Sequence, residues 1–187
     1  YEEDSKNFPR QKARAATNIT GKVYVKAINF NLTNNVSCLF SERQFIFNKT
    51  YYEYKLGATP PGNDTYLSTF NTTVMLSKTG AHNKTNALTY RFRPGDAPKL
   101  WKLMYINPNK TCLILVNDRN LTEHANCQLL QPAAYANDTI PQDCLKVFNK
   151  NCPGKNTTLY KPMCQELPEV PINTTPNKTI PEAEGCN

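Results

Sequence analysis

Seven cysteines offer most of the reactive chemistry in this chain, and five of them lie between Cys112 and Cys164. A thiol can bind a metal, attack a substrate or pair with a second thiol. The spacings from Cys112 to Cys127 and from Cys144 to Cys152 fit no zinc pattern. No H-E-x-x-H, G-x-S-x-G or phosphate-binding glycine loop accompanies them. The sequence therefore predicts disulfides, no metal, no cofactor and no enzymatic activity.

Two histidines and two glutamates are the remaining candidates for chemistry. His82 and His124 each lie close to an N-glycosylation acceptor in a predicted loop, which is typical of solvated side chains. Glu42 and Glu53 lie on predicted strands, where an inward carboxylate would contact a ligand. The outward, solvated orientation is commoner for glutamate, and we predict it for both.

Acceptors for N-glycosylation occur thirteen times, twelve of them with Thr at the third position. Chance placement would give roughly three. The acceptors are Asn18, Asn31, Asn35, Asn48, Asn63, Asn71, Asn83, Asn109, Asn120, Asn137, Asn156, Asn173 and Asn177. This excess and the cysteine content both indicate an oxidising, extracellular compartment. The sequence predicts a secreted glycoprotein with a dense sugar coat.

Length, hydropathy and charge limit the function further. At 187 residues the chain can bury one closed core. It has no long apolar run, so we expect no membrane insertion, and it starts at Tyr1 with a charged segment, as a processed mature protein would. The net charge of +7 is scattered along the chain. Nucleic-acid binding is therefore not expected, whereas an acidic host protein, ligand or matrix fits.

The strands that position the clustered cysteines can be predicted from their neighbours. The apolar run from Cys112 to Val116 is typical of a strand covered on both faces. The turn signal Asn107-Pro-Asn-Lys110 precedes it, which predicts a hairpin with residues 101–106.

A short helix is predicted next. Thr139-Ile-Pro-Gln142 resembles a capping box. Leu145, Phe148 and Cys152 would share one face of the helix, and Pro153-Gly154 would end it.

Further strands are predicted over residues 22–32, with one slip of phase at a bulge, and over 38–47, 50–56, 66–76 and 87–92. Eight or nine strands joined by turns indicate an antiparallel meander, and closure hides its edges. We predict an all-β, eight-stranded antiparallel up-and-down barrel with a short C-terminal helix packed outside. A two-sheet sandwich is the alternative.

The domain organisation follows from composition. Residues 1–17 are predicted to form a polar N-terminal arm, either a frayed helix or a loose segment. Residues 18–164 are predicted to form the barrel with its helix, and residues 165–187 an extended, Pro-rich, glycosylated tail.

An eight-stranded barrel has a lumen that can hold one small ligand. Strand aromatics are usually core residues, and about one third would line a cavity if one exists. The candidates for barrel lining are Phe45, Phe47, Tyr52, Tyr54, Phe70, Tyr90 and Phe92.

The cysteine-rich stretch resembles the tick salivary lipocalins, the family that includes the histamine-binding proteins. The resemblance rests on Lys110-Thr-Cys-Leu-Ile-Leu-Val116, Cys127-Gln-Leu-Leu130, Pro141-Gln-Asp-Cys-Leu-Lys-Val-Phe-Asn149 and a final Cys164. In element order it covers residues 20–165, and its specific motifs occupy the last third of that span. Sequence alone leaves the cysteine pairing open. The resemblance implies three bridges and an unpaired Cys186: Cys38–Cys164, Cys112–Cys144 and Cys127–Cys152.

The chain departs from the amine-binding members of that family. Those members carry Cys-Asp and then Glu-Leu-Trp or Glu-Leu-Tyr, where this chain has Cys112-Leu113 and Gln128-Leu129-Leu130. Their N-terminal Asp-Ala-Trp is also absent, because the only tryptophan is Trp101. Burying an ammonium without a counter-charge is costly. Histamine and serotonin are therefore weaker candidates than a lipid.

Two functions follow from the resemblance. Some members block complement by binding properdin or the fifth component, and we predict this role as a host-protein decoy. A protein-binding face must avoid glycans, and the span between Asn83 and Asn109 has no acceptor. This span contains Arg and aromatic residues, which are enriched in interface hot spots. The partner-binding candidates there are Arg91, Arg93, Lys99, Trp101 and Lys102.

Two alternatives stay open for the binding face: the span is the packed interior of the sheet with Trp101 in the core, or residues 139–155 form the interface. The alternative function is capture of a small mediator in the barrel, such as a leukotriene, fatty acid or cholesterol.

Overall fold

The computed structural model describes residues 1–32, 34–117, 119 and 125–172. Eight strands form a closed antiparallel ring within these residues, in which each strand pairs with the next along the chain and the eighth pairs with the first. They are β1 (Lys22–Ile28), β2 (Phe40–Ile46), β3 (Tyr51–Ala58), β4 (Leu67–Ser77), β5 (Ala87–Tyr90), β6 (Lys99–Ile106), β7 (Leu113–Asn117) and β8 (Asn126–Pro132). The predicted up-and-down barrel is confirmed, and the sandwich alternative is wrong.

Alternation of side chains explains why the strands close on one core. In β3, Tyr52, Tyr54 and Leu56 are buried, while Glu53 and Lys55 between them are half-buried on the other face. Bulges shift this phase at three places, including the predicted slip in β1, between Val25 and Ala27. The described chain contains no helix long and apolar enough to cross a membrane.

A ten-residue helix, α2 (Gln142–Asn151), packs outside the barrel on β6, β7 and β8. Its buried residues are Cys144 and Phe148, and the C-cap residue Cys152 is buried with Phe148 against the outer faces of these strands. The predicted capping box is wrong. Pro141 is the N-cap and has an extended backbone, so the helix begins only after it and Thr139 lies outside its first turn.

Three disulfides hold the helix and the C-terminal segment on the barrel. Those of the helix run from Cys112 to Cys144 and from Cys127 to Cys152, one near each end of α2. The third closes the longest loop, between Cys38 and Cys164. These are the three pairs that the family resemblance implied. Cys186 lies outside the described residues.

The N-terminal segment, for which a frayed helix or a loose arm is predicted at residues 1–17, forms two short helices. A 3-10 helix (Ser5–Arg10) and a short helix, α1 (Ala13–Thr17), cover one end of the barrel. The backbone N–H of Ala13 donates to the Thr85 carbonyl at 2.8 Å. Gln11, which is buried, donates to the Met104 carbonyl at 3.1 Å and meets His82 Nε2 at 2.8 Å.

This covering segment explains the burial of one predicted solvated histidine. His82 is 8% exposed, and its ring stacks on Phe8 with a centroid distance of 3.7 Å. The prediction for His82 is wrong because residues distant in sequence bury it. His124 lies outside the described residues.

The first part of the predicted tail also belongs to the fold. After two short elements, β9 (Thr157–Thr158) and a 3-10 helix (Pro162–Gln165), strand β10 (Glu169–Pro171) pairs in parallel with the start of β4. Glu169 accepts from Lys22 and Lys55, each at 2.6 Å. Residues 173–187, with the acceptors Asn173 and Asn177, lie outside the described part.

Candidate ligand-binding cavity

The barrel encloses a cavity of about 530 Å³. Its walls are built by the inward residues of the strands, chiefly leucine, valine and aromatic side chains. Among the aliphatic wall residues that sequence reasoning did not single out are Val25, Leu56, Val74, Leu88, Leu113, Leu115 and Leu130. The alternation in each strand marks them as buried, but only barrel closure shows that they face one space.

The predicted lining aromatics divide into three groups. Tyr54, Phe70, Tyr90 and Phe92 line the cavity. Tyr52 is buried in the surrounding core without reaching the cavity wall. The remaining two lie outside the barrel wall.

Phe45 and Phe47 were predicted inside the barrel, and that prediction is wrong. They are 57% and 55% exposed. A bulge between Arg43 and Phe45 shifts the alternation of β2, and β1 pairs with β2 only as far as Glu42. The end of β2 therefore projects beyond the wall of the barrel.

Three polar groups are available deep in the cavity. Burial raises the pKa of the Tyr54 and Tyr90 hydroxyls above the ordinary value of 10.0, so both are neutral donors. The Gln128 amide interacts with the Tyr90 hydroxyl and so offsets part of the rise in its pKa, although the contact falls outside the geometry of a normal hydrogen bond. Gln128 is 2% exposed, and its Nε2 reaches hydrogen-bonding geometry with no described group. A buried donor without a partner is costly, so Gln128 can gain a bond from a ligand.

The cavity wall carries little charge. Among the described residues that line it, Arg93 is the only charged side chain and none is a carboxylate. Leu113 and Gln128, two positions at which the sequence departs from the amine-binding pattern, both reach the wall and carry no charge. Glu42 and Glu53 are half-buried residues that do not line the cavity.

The two ends of the cavity differ. Ala16 and Ile19 of the N-terminal segment close one end. At the other end the wall is made by the loops β1–β2, β3–β4 and β5–β6, with Asn34, Pro60 and Arg93 as examples. Ile172, just after β10, reaches the cavity from the same side. We name the end between these loops the cavity mouth.

The partner-binding candidates do not form one exposed face. Trp101 is 4% exposed and packs with Phe30 and Tyr90, with centroid distances of 6.1 and 6.5 Å. Trp101 as a surface anchor is therefore wrong, because β6 turns it inward. Arg93 lies at the cavity mouth, whereas Lys102 is ion-paired with Glu3 at 2.5 Å. Only the other two candidates, Arg91 and Lys99, are exposed.

The glycosylation acceptors behave differently from the other asparagines. All ten acceptor asparagines within the described residues are exposed. Of the nine other described asparagines only two, Asn34 and Asn149, are exposed. Asn120 lies outside the described residues.

Several solved structures share this fold. Japanin from Rhipicephalus appendiculatus, bound to cholesterol, superposes with a TM-score of 0.54 at 15% identity, covering 75% of this chain and 91% of japanin. The AM182 serotonin complex superposes with a TM-score of 0.59 at 12% identity, covering 80% of this chain and 88% of AM182. Lobster apocrustacyanin A1 superposes with a TM-score of 0.58 at 13% identity, covering 85% of this chain and 86% of apocrustacyanin A1. No curated protein sequence matches the chain significantly.

An up-and-down barrel of eight strands around an apolar cavity is the architecture of a lipocalin. The family model described as tick histamine binding protein matches residues 1–166. The chain belongs to this family of small-ligand-binding lipocalins, which confirms the resemblance of the cysteine stretch.

Proposed function

We propose that this lipocalin captures an apolar small molecule of the lipid class, such as a fatty acid or a sterol, inside the barrel. The supporting observation is an apolar cavity of about 530 Å³ without a carboxylate among its described lining residues. This volume lies within the usual range for small-molecule sites.

The energetics favour a lipid over an amine. Apolar ligand surface that leaves water contributes about 25 cal/mol per Å². A ligand hydroxyl or carboxyl could accept from Gln128, while Arg93 at the mouth suits a carboxylate. A buried ammonium would find no counter-charge and would retain its desolvation cost. Japanin with cholesterol is a precedent for a sterol in this fold, and AM182 is a precedent for an amine.

Native mass spectrometry of the protein from secreting cells tests this proposal, together with displacement of a fluorescent fatty acid. Trp101 stacks on Tyr90, which lines the cavity, so a bound lipid should change the emission of the single tryptophan. Leu115→Trp should fill the lumen and weaken binding at least about 100-fold. Leu100→Trp, at a 38% exposed position of β6, is the matched control. Equal affinities for the two variants would contradict a lumen site.

A second role as a host-protein decoy is favoured by one observation. Arg91 and Lys99 are exposed within the acceptor-free span between Asn83 and Asn109. Complement proteins such as properdin or the fifth component would be the targets. A pull-down from host plasma, repeated with Arg91→Ala and Lys99→Ala, tests it. A retained plasma protein that both variants release supports this second role, and an empty pull-down contradicts it.

The proposed compartment is extracellular, and no catalytic role is proposed. The exposure of ten acceptor asparagines and three disulfides support secretion. Glycopeptide mass spectrometry of secreted protein should find sugars on these asparagines.

A further inference from the structure

The hairpin of β2 and β3 carries exposed aromatic residues that the lumen does not explain. Phe45, Phe47 and Tyr51 are 57%, 55% and 41% exposed, and we name them the aromatic patch. The rings of Phe45 and Phe47 touch edge to face with a centroid distance of 5.1 Å. A contiguous exposed apolar patch often marks a surface to which another group binds.

Strand register places the aromatic patch on the outer face of the hairpin. Phe45 lies opposite Glu53, and Glu53 alternates with the inward-facing Tyr52 and Tyr54. The Phe47 N–H donates to the Tyr51 carbonyl at 3.0 Å, so these two residues also lie opposite each other. The three side chains therefore share one face beside the turn.

Asn48 stands in that turn as the acceptor of Asn48-Lys49-Thr50. Its Oδ1 accepts from the Thr50 N–H at 2.8 Å, the Thr50 hydroxyl at 3.1 Å and the Tyr51 N–H at 2.9 Å. These three bonds fix the side chain, while Nδ2 makes no hydrogen bond within the described residues and Asn48 is exposed. Nδ2 is the atom that N-glycosylation modifies.

We propose that Asn48 carries an N-linked glycan and that its first sugar packs on the rings of Phe45 and Phe47. In the attachment step Nδ2 bonds to the sugar C1 and loses a proton, while the bond from C1 to a lipid diphosphate donor breaks and the diphosphate leaves with the electron pair. The C–H face of a pyranose is apolar and can cover an aromatic ring. The proposal requires the first sugar to reach both rings, and Asn48 follows Phe47 directly and Phe45 by three residues. This inference rests on the proposed extracellular location.

Asn63 provides a matched comparison within the same chain. Its Oδ1 accepts from the Thr65 N–H at 2.9 Å and the Thr65 hydroxyl at 2.6 Å, so its local geometry resembles that of Asn48. It too is exposed, but Pro60, Pro61 and Gly62 precede it, where Asn48 has Phe45 and Phe47. A sugar on Asn63 has no preceding ring to cover.

The test uses full-length protein from secreting cells that keep high-mannose glycans, trimmed enzymatically to one sugar at each site. Glycopeptide mass spectrometry must find Asn48 occupied. Asn48→Gln should then lower the Tm by about 2–4 °C, whereas Asn63→Gln should change it by less than about 1 °C. In a Phe45→Ala, Phe47→Ala background the loss on Asn48→Gln should disappear.

An unoccupied Asn48, or a Tm loss that persists without the two rings, would overturn the proposal. So would a dimer of the glycosylated protein that Phe45→Ala dissolves, or retention on vesicles of zwitterionic lipid that the same substitution abolishes. In those cases a second copy or a lipid surface occupies the aromatic patch. A failure of lipid binding in the lumen leaves this result unaffected, so the two proposals are distinguishable.

Discussion

The two faces of β7 and β8 carry the same kinds of apolar side chain, but one face lines the cavity and the other packs against α2. Leu113 and Leu115 of β7 point into the lumen and line the cavity. Ile114 and Val116, between them, point outward and pack under α2 with Leu129 of β8. The inner cluster surrounds open space, whereas the outer cluster is closed by a helix and two disulfides. Tight packing on one face thus supports a binding cavity on the other.

The largest difference should come from truncating a leucine on each face. Leu129→Ala removes a fully buried side chain from the outer cluster and should cost about 4 kcal/mol of unfolding free energy. Leu115→Ala removes atoms that already face a cavity and should cost about 2 kcal/mol. Urea unfolding of both variants measures this. Equal losses would mean that the inner face is packed as tightly as the outer one.

The next largest loss of stability should come from removing the disulfide between Cys127 and Cys152. Replacing Cys127 and Cys152 together by alanine releases a constraint spanning 25 residues and should cost about 3 kcal/mol. Lipid affinity should change less than about threefold, because neither cysteine lines the cavity. Thermal unfolding and probe displacement, measured on the same sample, check both parts. A large loss of affinity would show that the two faces are coupled.

A smaller effect is expected from Gln128, a buried amide that lines the cavity. Gln128→Leu removes an unpaired buried donor, so stability should stay the same or rise by about 1 kcal/mol. Affinity for a fatty acid or alcohol should fall about tenfold relative to a plain hydrocarbon. Gln131 is the matched control, because it is also buried on β8 but does not line the cavity. If Gln131→Leu shifts the ratio equally, Gln128 does not touch the ligand.

The smallest effect concerns the strand beside the cavity mouth and depends on pH. Partial burial acts to raise the pKa of Glu169, but hydrogen bonds from Lys22 and Lys55 outweigh it and hold the pKa below the ordinary value of 4.5. The stabilisation is therefore complete above pH 4.5 and is lost as the pH falls through the lower pKa of the folded protein. It should amount to less than about 1 kcal/mol.

Hydrogen exchange of the Val170 amide, measured between pH 3 and pH 6 and corrected for the intrinsic rate, would report this loosening of β10. Glu169→Gln should remove the pH dependence, and Glu166→Gln, at an exposed position with no ion pair in the described chain, should keep it. An unchanged profile in Glu169→Gln would exclude this ion-paired cluster as the cause.

Local patterns predicted most of the strands but failed wherever distant segments meet. The hairpin of β6 and β7 was predictable because the turn signal and both apolar runs are contiguous. The burial of His82 was not, since Phe8 and Gln11 reach it from more than seventy residues away. The error at Phe45 has a different origin. A single extra residue in β2 reverses the side-chain alternation, and no local sequence pattern predicts this bulge.

The sequence by itself determined that this chain makes an antiparallel sheet with an outer helix, since periodicity, turn residues and a contiguous cysteine cluster act over short distances. It also determined where sugars can attach, because the acceptor is a three-residue motif. Only the tertiary structure decided which apolar residues enclose a cavity. Leu113 and Ile114 are interchangeable as hydrophobic residues, and the closure of the barrel on one side and the docking of α2 on the other give them different roles.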